Sequence, residues 1–220
     1  MPSALTLPEG LELREDERGL ALVGDGMELR GDLSRMLPRL RPANLRRELL
    51  VRAARVRGAA APTAVDATAG LGEDALLLAA AGFEVTLFER DAVIAALLAD
   101  ALRRARLDEA LAAHARRMHL VEGDGVAGLR TMGTSPDLVF LDPMFPERRK
   151  RGATNKKLQL FQRLERPCDS EGALLEAALG AARHKVVVKR PLKGPHLAGA
   201  KPSSSLSGKV VRYDTYVPVG

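Results

Sequence analysis

A short segment in the second half of the chain combines three residue types that can hold a planar ligand: Asp142, Pro143 and Phe145. It follows the apolar run at 137–141, which is typical of a buried parallel strand. Open α/β sheets bind ligands at the carboxyl ends of such strands. There the acid can accept from an exocyclic amine, the proline stiffens the turn and the ring can stack on a base. The segment favours presenting a nucleobase amine to a reactive carbon; a turn with a buried phenylalanine is the plainer alternative.

A glycine-containing turn follows an earlier predicted strand at 63–66. Its notable residues are Asp66, Gly70, Gly72, Glu73 and Asp74. The two glycines permit a tight turn and a close approach of ligand to backbone. The acids that start the next helix suit its dipole but disfavour a pyrophosphate, which needs the same N–H groups. The turn therefore favours a ligand with an amino acid part and an adenosine, such as S-adenosylmethionine; a turn without a ligand can look the same.

Further acids follow the next two predicted strands. Glu89 and Arg90 end the strand at 83–88, where an acid can bind a ribose diol. Asp124 and Gly125 follow the strand at 118–121, where an acid can meet the adenine amine. A surface ion pair and a plain Gly-Asp-Gly turn are the alternatives. The order of these motifs at successive strand ends is a stronger indication of a nucleoside site than any one of them.

The bulk composition limits the partners and the chemistry. The 220 residues carry a net charge of +6, which favours a polyanionic partner and nucleic acid first. The single cysteine excludes an internal disulfide and a cysteine-based zinc site, and the four histidines lack metal-ligand spacing. We see no signal peptide and no membrane span. We therefore expect a cytoplasmic protein without a metal; the sequence does not indicate its oligomeric state.

Strands and helices alternate from residue 62 onward, which predicts an α/β fold with a doubly wound, mostly parallel sheet. Besides the strands named above, we predict strands at 185–189 and 210–217. We predict helices at 74–81, 92–106, 124–129 and 172–182. The charged segment 147–157 and the Pro-, Gly- and Ser-rich segment 191–208 are expected to be mobile loops beside the site.

The N-terminal part has a different pattern. Short apolar runs at 11–13, 20–23 and 27–29, with turn residues between them, predict a small β-rich hairpin. Residues 43–57 predict one helix with a basic face, which is either a solvated surface or a phosphate-contacting one. We therefore divide the chain into an extension at 1–57 and a main domain at 58–220.

Several segments resemble the ribosomal RNA small subunit methyltransferase J family. They are Val-Asp-Ala-Thr-Ala-Gly-Leu-Gly at 65–72, Glu-Arg at 89–90, Leu-Asp-Pro-Met-Phe-Pro at 141–146 and Val-Val-Val-Lys-Arg-Pro at 186–191. The resemblance spans about residues 62–217. It implies a class I, Rossmann-like methyltransferase that uses S-adenosyl-L-methionine and methylates a guanine N2 in 16S ribosomal RNA, alone or in the small subunit. It implies cofactor contacts at Glu73, Asp74, Glu89, Arg90, Asp124, Gly125 and Asp142.

Our hypothesis is direct methyl transfer to an exocyclic amine, with Asp142 holding the amine and Phe145 stacked on the base. Basic residues are expected to contact the RNA: Arg148, Arg149, Lys150, Lys156, Lys189 and Arg190. Three alternatives remain. The chain can be a methyltransferase of another RNA base or a protein side chain, an NAD-linked oxidoreductase that uses the glycine turn and Glu89, or a non-catalytic RNA-binding module.

Overall fold

The computed structural model describes residues 7–143, 164 and 170–218. Its strands are β1 Glu12–Asp16, β2 Gly19–Gly24, β3 Met27–Leu29, β4 Thr63–Asp66, β5 Glu84–Glu89, β6 Met118–Glu122, β7 Leu138–Leu141, β8 Lys185–Pro191, β9 Ser204–Ser207 and β10 Val211–Tyr216. Its α-helices are α1 Leu37–Leu40, α2 Pro42–Leu45, α3 Leu49–Ala54, α4 Glu73–Ala80, α5 Ala92–Ala105, α6 Ala112–Ala115, α7 Gly125–Thr131 and α8 Glu171–Ala181. Short 3-10 helices cover Leu33–Met36 and Leu197–Gly199.

A seven-stranded sheet in the order β6-β5-β4-β7-β8-β10-β9 forms the centre. Strands β4 to β8 are parallel to one another, and each crossover between them passes through at least one helix, whereas β10 runs antiparallel to both β8 and β9. The predicted doubly wound, mostly parallel sheet is confirmed. The carboxyl ends of β4, β5, β6, β7 and β8 therefore meet at one edge.

Helices cover both faces of this sheet. On one face Leu76 of α4 and Leu98 of α5 pack with Phe140 and Val187. On the other face Leu129 and Leu175 pack with Val139, and these residues come from α7, α8 and β7. Successive strand residues point to opposite faces. Neighbours in one apolar strand are therefore buried against different helices.

The N-terminal residues form an antiparallel sheet in the order β1-β2-β3, as predicted. Leu22 and Leu29 of this sheet are buried with Ile94 and Leu97 of α5. The predicted single helix at 43–57 is wrong, because the chain forms α2 and α3 with an extended Glu48 between them, at φ −58° and ψ 127°. The Glu48 carboxylate accepts two hydrogen bonds from Arg39, of 2.8 and 2.7 Å. This ion pair lies at the interruption between α2 and α3.

The predicted mobile loop at 191–208 is also wrong in part, since it contains β9 and a 3-10 helix. The guanidinium of Arg212 donates to the carbonyls of Pro191, Leu192 and Gly194 at 2.8–3.0 Å. The buried Asp214 carboxylate accepts from the same guanidinium. A charged anchor inside the fold thus orders a segment whose composition indicates a loop. The other predicted loop, 147–157, lies outside the described residues.

Candidate active site

The turn after β4 is built around a buried acid. Asp66 is 1% exposed, and its Oδ1 accepts from the Thr68 backbone N–H at 3.1 Å. Gly70 and Gly72 have φ angles of +53° and +78°. Residues other than glycine adopt such positive φ angles only at a cost in free energy. A Cβ on Gly72 would also approach the Leu98 side chain to 2.7 Å. Both glycines are therefore required by the shape of this turn.

Glu89 connects the ends of β4 and β5. Its Oε2 accepts from the Gly70 N–H at 2.9 Å, and its Oε1 accepts from the Asp91 N–H at 2.8 Å. The side chain is buried, and this burial raises the pKa of Glu89, while the two backbone donors oppose the change. Glu89, the acid predicted at the end of this strand (β5), therefore lies directly against the glycine turn.

The Gly-Asp-Gly segment after β6 has a different geometry. Asp124 is exposed and caps α7, since its Oδ1 accepts from the Ala127 N–H at 2.9 Å. Gly125 is buried against the turn after β4, where a Cβ would collide with the Ala67 carbonyl oxygen. Glycine at 125 therefore lets the start of α7 approach the turn after β4.

Asp142 is joined to two other parts of the site. Its backbone N–H donates to Thr68 Oγ1 at 2.7 Å, which ties the end of β7 to the turn after β4. Its Oδ2 accepts from Lys189 Nζ at 2.9 Å. The same Nζ donates to Asp74 Oδ2 at 2.6 Å. The structure thus places Lys189 between two predicted site acids. Its predicted contact with the RNA stays a prediction.

The electrostatics of this cluster are dominated by carboxylates. Burial raises the pKa of Asp66 to about 8, and the negative charges of Asp74 and Asp142 add to that effect. Burial also raises the pKa of Asp142, although Lys189 opposes it. Burial disfavours the charged form of Lys189, but the two neighbouring carboxylates outweigh it and raise the Lys189 pKa. Lys189 is therefore an ammonium throughout the neutral range.

Residues of the site fit a cationic ligand with a nucleoside part. The acids Asp66, Asp74, Glu89 and Asp142 all lie around the carboxyl ends of β4, β5 and β7. Asp66 is mostly protonated at neutral pH because of its raised pKa. The other acids of the group attract a sulfonium and an ammonium, the two cationic groups of S-adenosylmethionine, and repel a pyrophosphate. The glycine turn adds backbone groups for an amino acid part. The chemistry of these residues therefore matches the cofactor expected from the sequence.

The other residues predicted to bind the cofactor or the RNA are either buried, exposed beside the site or outside the described residues. Arg190 is 1% exposed, and its guanidinium donates to Glu171 Oε1 and the Pro195 carbonyl, so the expectation of an RNA contact needs correction. Glu73 and Arg90 are exposed beside the site, and Pro143 is buried. Other predicted contacts lie outside the described residues: Phe145, Arg148, Arg149, Lys150 and Lys156.

Sequence reasoning missed two residues of the site. Thr68 supplies the hydroxyl that accepts from the Asp142 N–H. The signal available in the sequence was Asp66, since an aspartate often starts a turn by accepting from the N–H two residues further on. Tyr213 is buried on β10 opposite Lys189, and its pKa is raised by burial first and by Asp74 second. Tyr213 lies two residues after Val211, so the alternation of side chains along a strand could have placed both residues on the same face of the sheet.

Comparisons with known proteins define the class. The family model for SAM-dependent methyltransferases matches residues 12–218. A SAM-dependent methyltransferase from Neisseria gonorrhoeae has a similar crystal structure, with a TM-score of 0.77, 33% identity and coverage of 99% of this chain and 87% of that one. An rRNA methyltransferase from Streptomyces viridochromogenes shares the fold at 19% identity, with a TM-score of 0.53 and coverage of 81% and 85%. The fold is that of a class I SAM-dependent methyltransferase.

Curated relatives define the family within that class. Ribosomal RNA small subunit methyltransferase J of Marinobacter nauticus is 44% identical over 215 residues, covering 94% of this chain and 77% of the relative. The protein of the same name from Alkalilimnicola ehrlichii is 46% identical over 220 residues, covering 94% and 82%. The chain belongs to the ribosomal RNA small subunit methyltransferase J family. It is an enzyme whose cofactor is S-adenosyl-L-methionine.

The described residues contain neither a membrane-spanning helix nor a metal-binding cluster. Across residues 7–143, 164 and 170–218, no helix is long and apolar enough to cross a membrane. Within the same ranges, no group of three or more His, Cys, Asp or Glu side chains is arranged to hold a metal ion.

Proposed function

We propose that this chain transfers a methyl group from S-adenosyl-L-methionine to the exocyclic N2 amine of a guanine in small-subunit (16S) ribosomal RNA. The observation that carries this proposal is the position of Asp142. Its side chain is 39% exposed at the carboxyl end of β7, while its backbone is tied to the glycine turn through Thr68. An acceptor bound at Asp142 therefore lies next to the acids that suit the cofactor.

In this site, Asp142 accepts a hydrogen bond from the guanine amine and holds its nitrogen toward the methyl group that the cofactor supplies. Lys189 occupies Oδ2, and Oδ1 has no hydrogen-bond partner within the described ranges. Oδ1 is thus the oxygen for the amine, and the same carboxylate can take the proton that the amine loses. Pro143 fixes φ after the acid, and Phe145 is assigned the stacking role.

The RNA side of the proposal is supported by a basic groove beside the site. A cavity of about 330 Å³ is lined by Pro38, Arg39, Asn44, Arg47, Glu48 and Leu49. Glu48 binds Arg39, while Arg41, Arg46 and Arg47 are exposed. Arg39 lies near enough to Asp74 for that acid to raise its pKa, after the larger effect of Glu48. Phosphates in this groove would pass close to the methyl-transfer site.

A methylation assay tests the proposal. Small-subunit RNA from cells that lack this enzyme is incubated with tritiated S-adenosyl-L-methionine, and the modified nucleotide is mapped by mass. We expect N2-methylguanine with the wild-type protein, and a loss of at least about 100-fold for Asp142→Asn because the amine loses its carboxylate. Glu176→Gln removes an acid whose side chain is 80% exposed on α8, and it should leave the rate unchanged.

The outcomes separate the alternatives. Full activity of Asp142→Asn would contradict the role of that carboxylate. Label on another base, or on protein in whole subunits, would favour a methyltransferase of a different amine or amide. RNA binding without methyl transfer or cofactor binding would favour the non-catalytic module. The last result would also conflict with the family to which the chain belongs.

A further inference from the structure

Lys189 lies at the junction of three elements of the site. Its Nζ is 2.6 Å from Asp74 Oδ2 on α4 and 2.9 Å from Asp142 Oδ2 after β7. The lysine side chain is 26% exposed, and the Asp74 side chain is 16% exposed. Hydrogen bonds between charged groups are shorter and stronger than neutral ones. The three groups therefore form a partly buried chain from helix to lysine to the amine-binding acid.

Other charged and titratable groups face this chain. Asp66 comes from β4, Arg39 from α1, and Tyr213 from β10 next to Lys189. Arg190 on β8 also acts on Asp142, but its guanidinium is bound to Glu171 on the far side. Among the described residues, Lys189 is the cation in hydrogen-bond contact with Asp142. The orientation of the Asp142 carboxylate therefore depends on this lysine.

We propose that Lys189 is a positioning residue for methyl transfer: held by Asp74, its ammonium fixes Oδ2 of Asp142 so that Oδ1 is directed to the substrate amine. This inference rests on the proposed function, since it assigns Lys189 a part in that reaction. A free aspartate side chain rotates about two bonds, and misplacement by about 1 Å can cost roughly 100-fold in rate. The ammonium also favours the ionised carboxylate that the amine requires.

The purely structural alternative is that Lys189 only neutralises buried charge. A lysine on the same strand offers a matched control. Lys185 is partly buried, and its Nζ donates to the carbonyls of Ala53 and Arg55 at the opposite end of β8. Lys185→Met thus removes a comparable ammonium without touching Asp142. Lys189→Met keeps the length of the side chain, and Lys189→Arg restores the positive charge.

The first measurement does not depend on activity. Carboxyl ¹³C NMR follows the titration of Asp142, whose signal is assigned by its absence in Asp142→Asn. We expect the pKa of Asp142 to rise in Lys189→Met, to stay unchanged in Lys185→Met and to move back toward wild type in Lys189→Arg. An Asp142 pKa that is the same in the wild type and Lys189→Met would overturn the inference.

The second measurement is single-turnover methyl transfer at saturating cofactor and RNA. Lys189→Met should lower the rate about 100-fold with cofactor and RNA affinities unchanged, Asp74→Asn should lower it less, and Lys185→Met should not lower it. Thermal unfolding verifies that each variant is folded. If Lys189→Met does not fold, Asp74→Asn tests the same chain of contacts. An unchanged rate in folded Lys189→Met also overturns the inference. A wild-type protein inert toward this RNA overturns the proposed function instead, and the titration then still decides whether Lys189 governs Asp142.

Discussion

The backbone N–H of Asp142 donates a 2.7 Å hydrogen bond to Oγ1 of Thr68, so the acid proposed to bind the amine is attached to the turn proposed to begin the cofactor site. Thr68 in turn donates its own N–H to Asp66. The ends of β4 and β7 are therefore joined by side chains as well as by the sheet. This connection fixes the distance between the two halves of the site.

Replacement of Thr68 by valine should loosen that connection. Valine has nearly the same shape but no hydroxyl, so the Asp142 N–H loses its partner, at a cost of about 1–3 kcal/mol if it stays buried. We expect lower stability in urea and a slower methyl-transfer step. Thr68→Ser keeps the hydroxyl and should remain close to wild type. Equal behaviour of the valine and serine variants would show that the hydrogen bond has no importance.

Glu89→Gln should weaken cofactor binding. The glutamine NH₂ group cannot accept from Gly70 or Asp91, so one of the two backbone donors loses its partner. Charged hydrogen bonds contribute about 1.5–3 kcal/mol, which corresponds to roughly a 10- to 100-fold rise in Kd. Titration calorimetry with S-adenosyl-L-methionine measures the Kd of each variant. Glu122→Gln at the exposed end of β6 is the control, and equal affinities in both variants would argue against a role for Glu89.

The raised pKa of Asp66 predicts how the free energy of unfolding depends on pH. Its folded pKa of about 8 lies above the ordinary value of 3.8, so between these two values the folded protein binds more protons than the unfolded chain. Stability should therefore fall as pH rises through this window and level off above it. Asp66→Asn cannot ionise, and its advantage over wild type should grow from pH 4 to pH 8. Urea unfolding at several pH values tests this; an advantage that is constant with pH would contradict it.

Arg47→Glu should reduce affinity for RNA without changing affinity for the cofactor. Arg47 is exposed and lines the groove next to Arg39, so a reversed charge there repels phosphates. We expect a higher KM for RNA and a weaker dependence of that KM on salt. Arg116→Glu reverses an exposed charge next to α6, before the start of β6 and thus at the opposite edge of the sheet. Equal losses in the two variants would indicate a general effect of net charge.

The parallel strands of the sheet could be predicted because they are runs rich in apolar residues between turn residues. Strand β4 was predicted with its observed bounds, and the other parallel strands to within two residues. Strand β9 was missed because its sequence, Ser204–Ser207, is polar and resembles a loop. It is held by pairing with β10 and by a hydrogen bond from the Ser205 hydroxyl to Asp214. Such long-range partners leave no local signal.

The acids of the candidate site could be predicted because each follows a strand, and parallel strands end at one edge. The partners of these acids could not. Lys189 lies 47 residues from Asp142 and 115 from Asp74, so their contact depends on the register of three elements. Its basic character alone indicated a phosphate ligand. The basic character of Arg190 indicated a phosphate ligand as well. Only the alternation of faces along β8 distinguishes the surroundings of Lys189 from those of Arg190.

Lys189 and Arg190 are chain neighbours with opposite surroundings, the first beside Asp142 and the second against Glu171. Adding one residue to β8 would exchange those surroundings, so that the arginine would enter the pocket and the lysine the packed interior. Adding two would preserve them. During evolution this strand is therefore free to lengthen or shorten only in even steps.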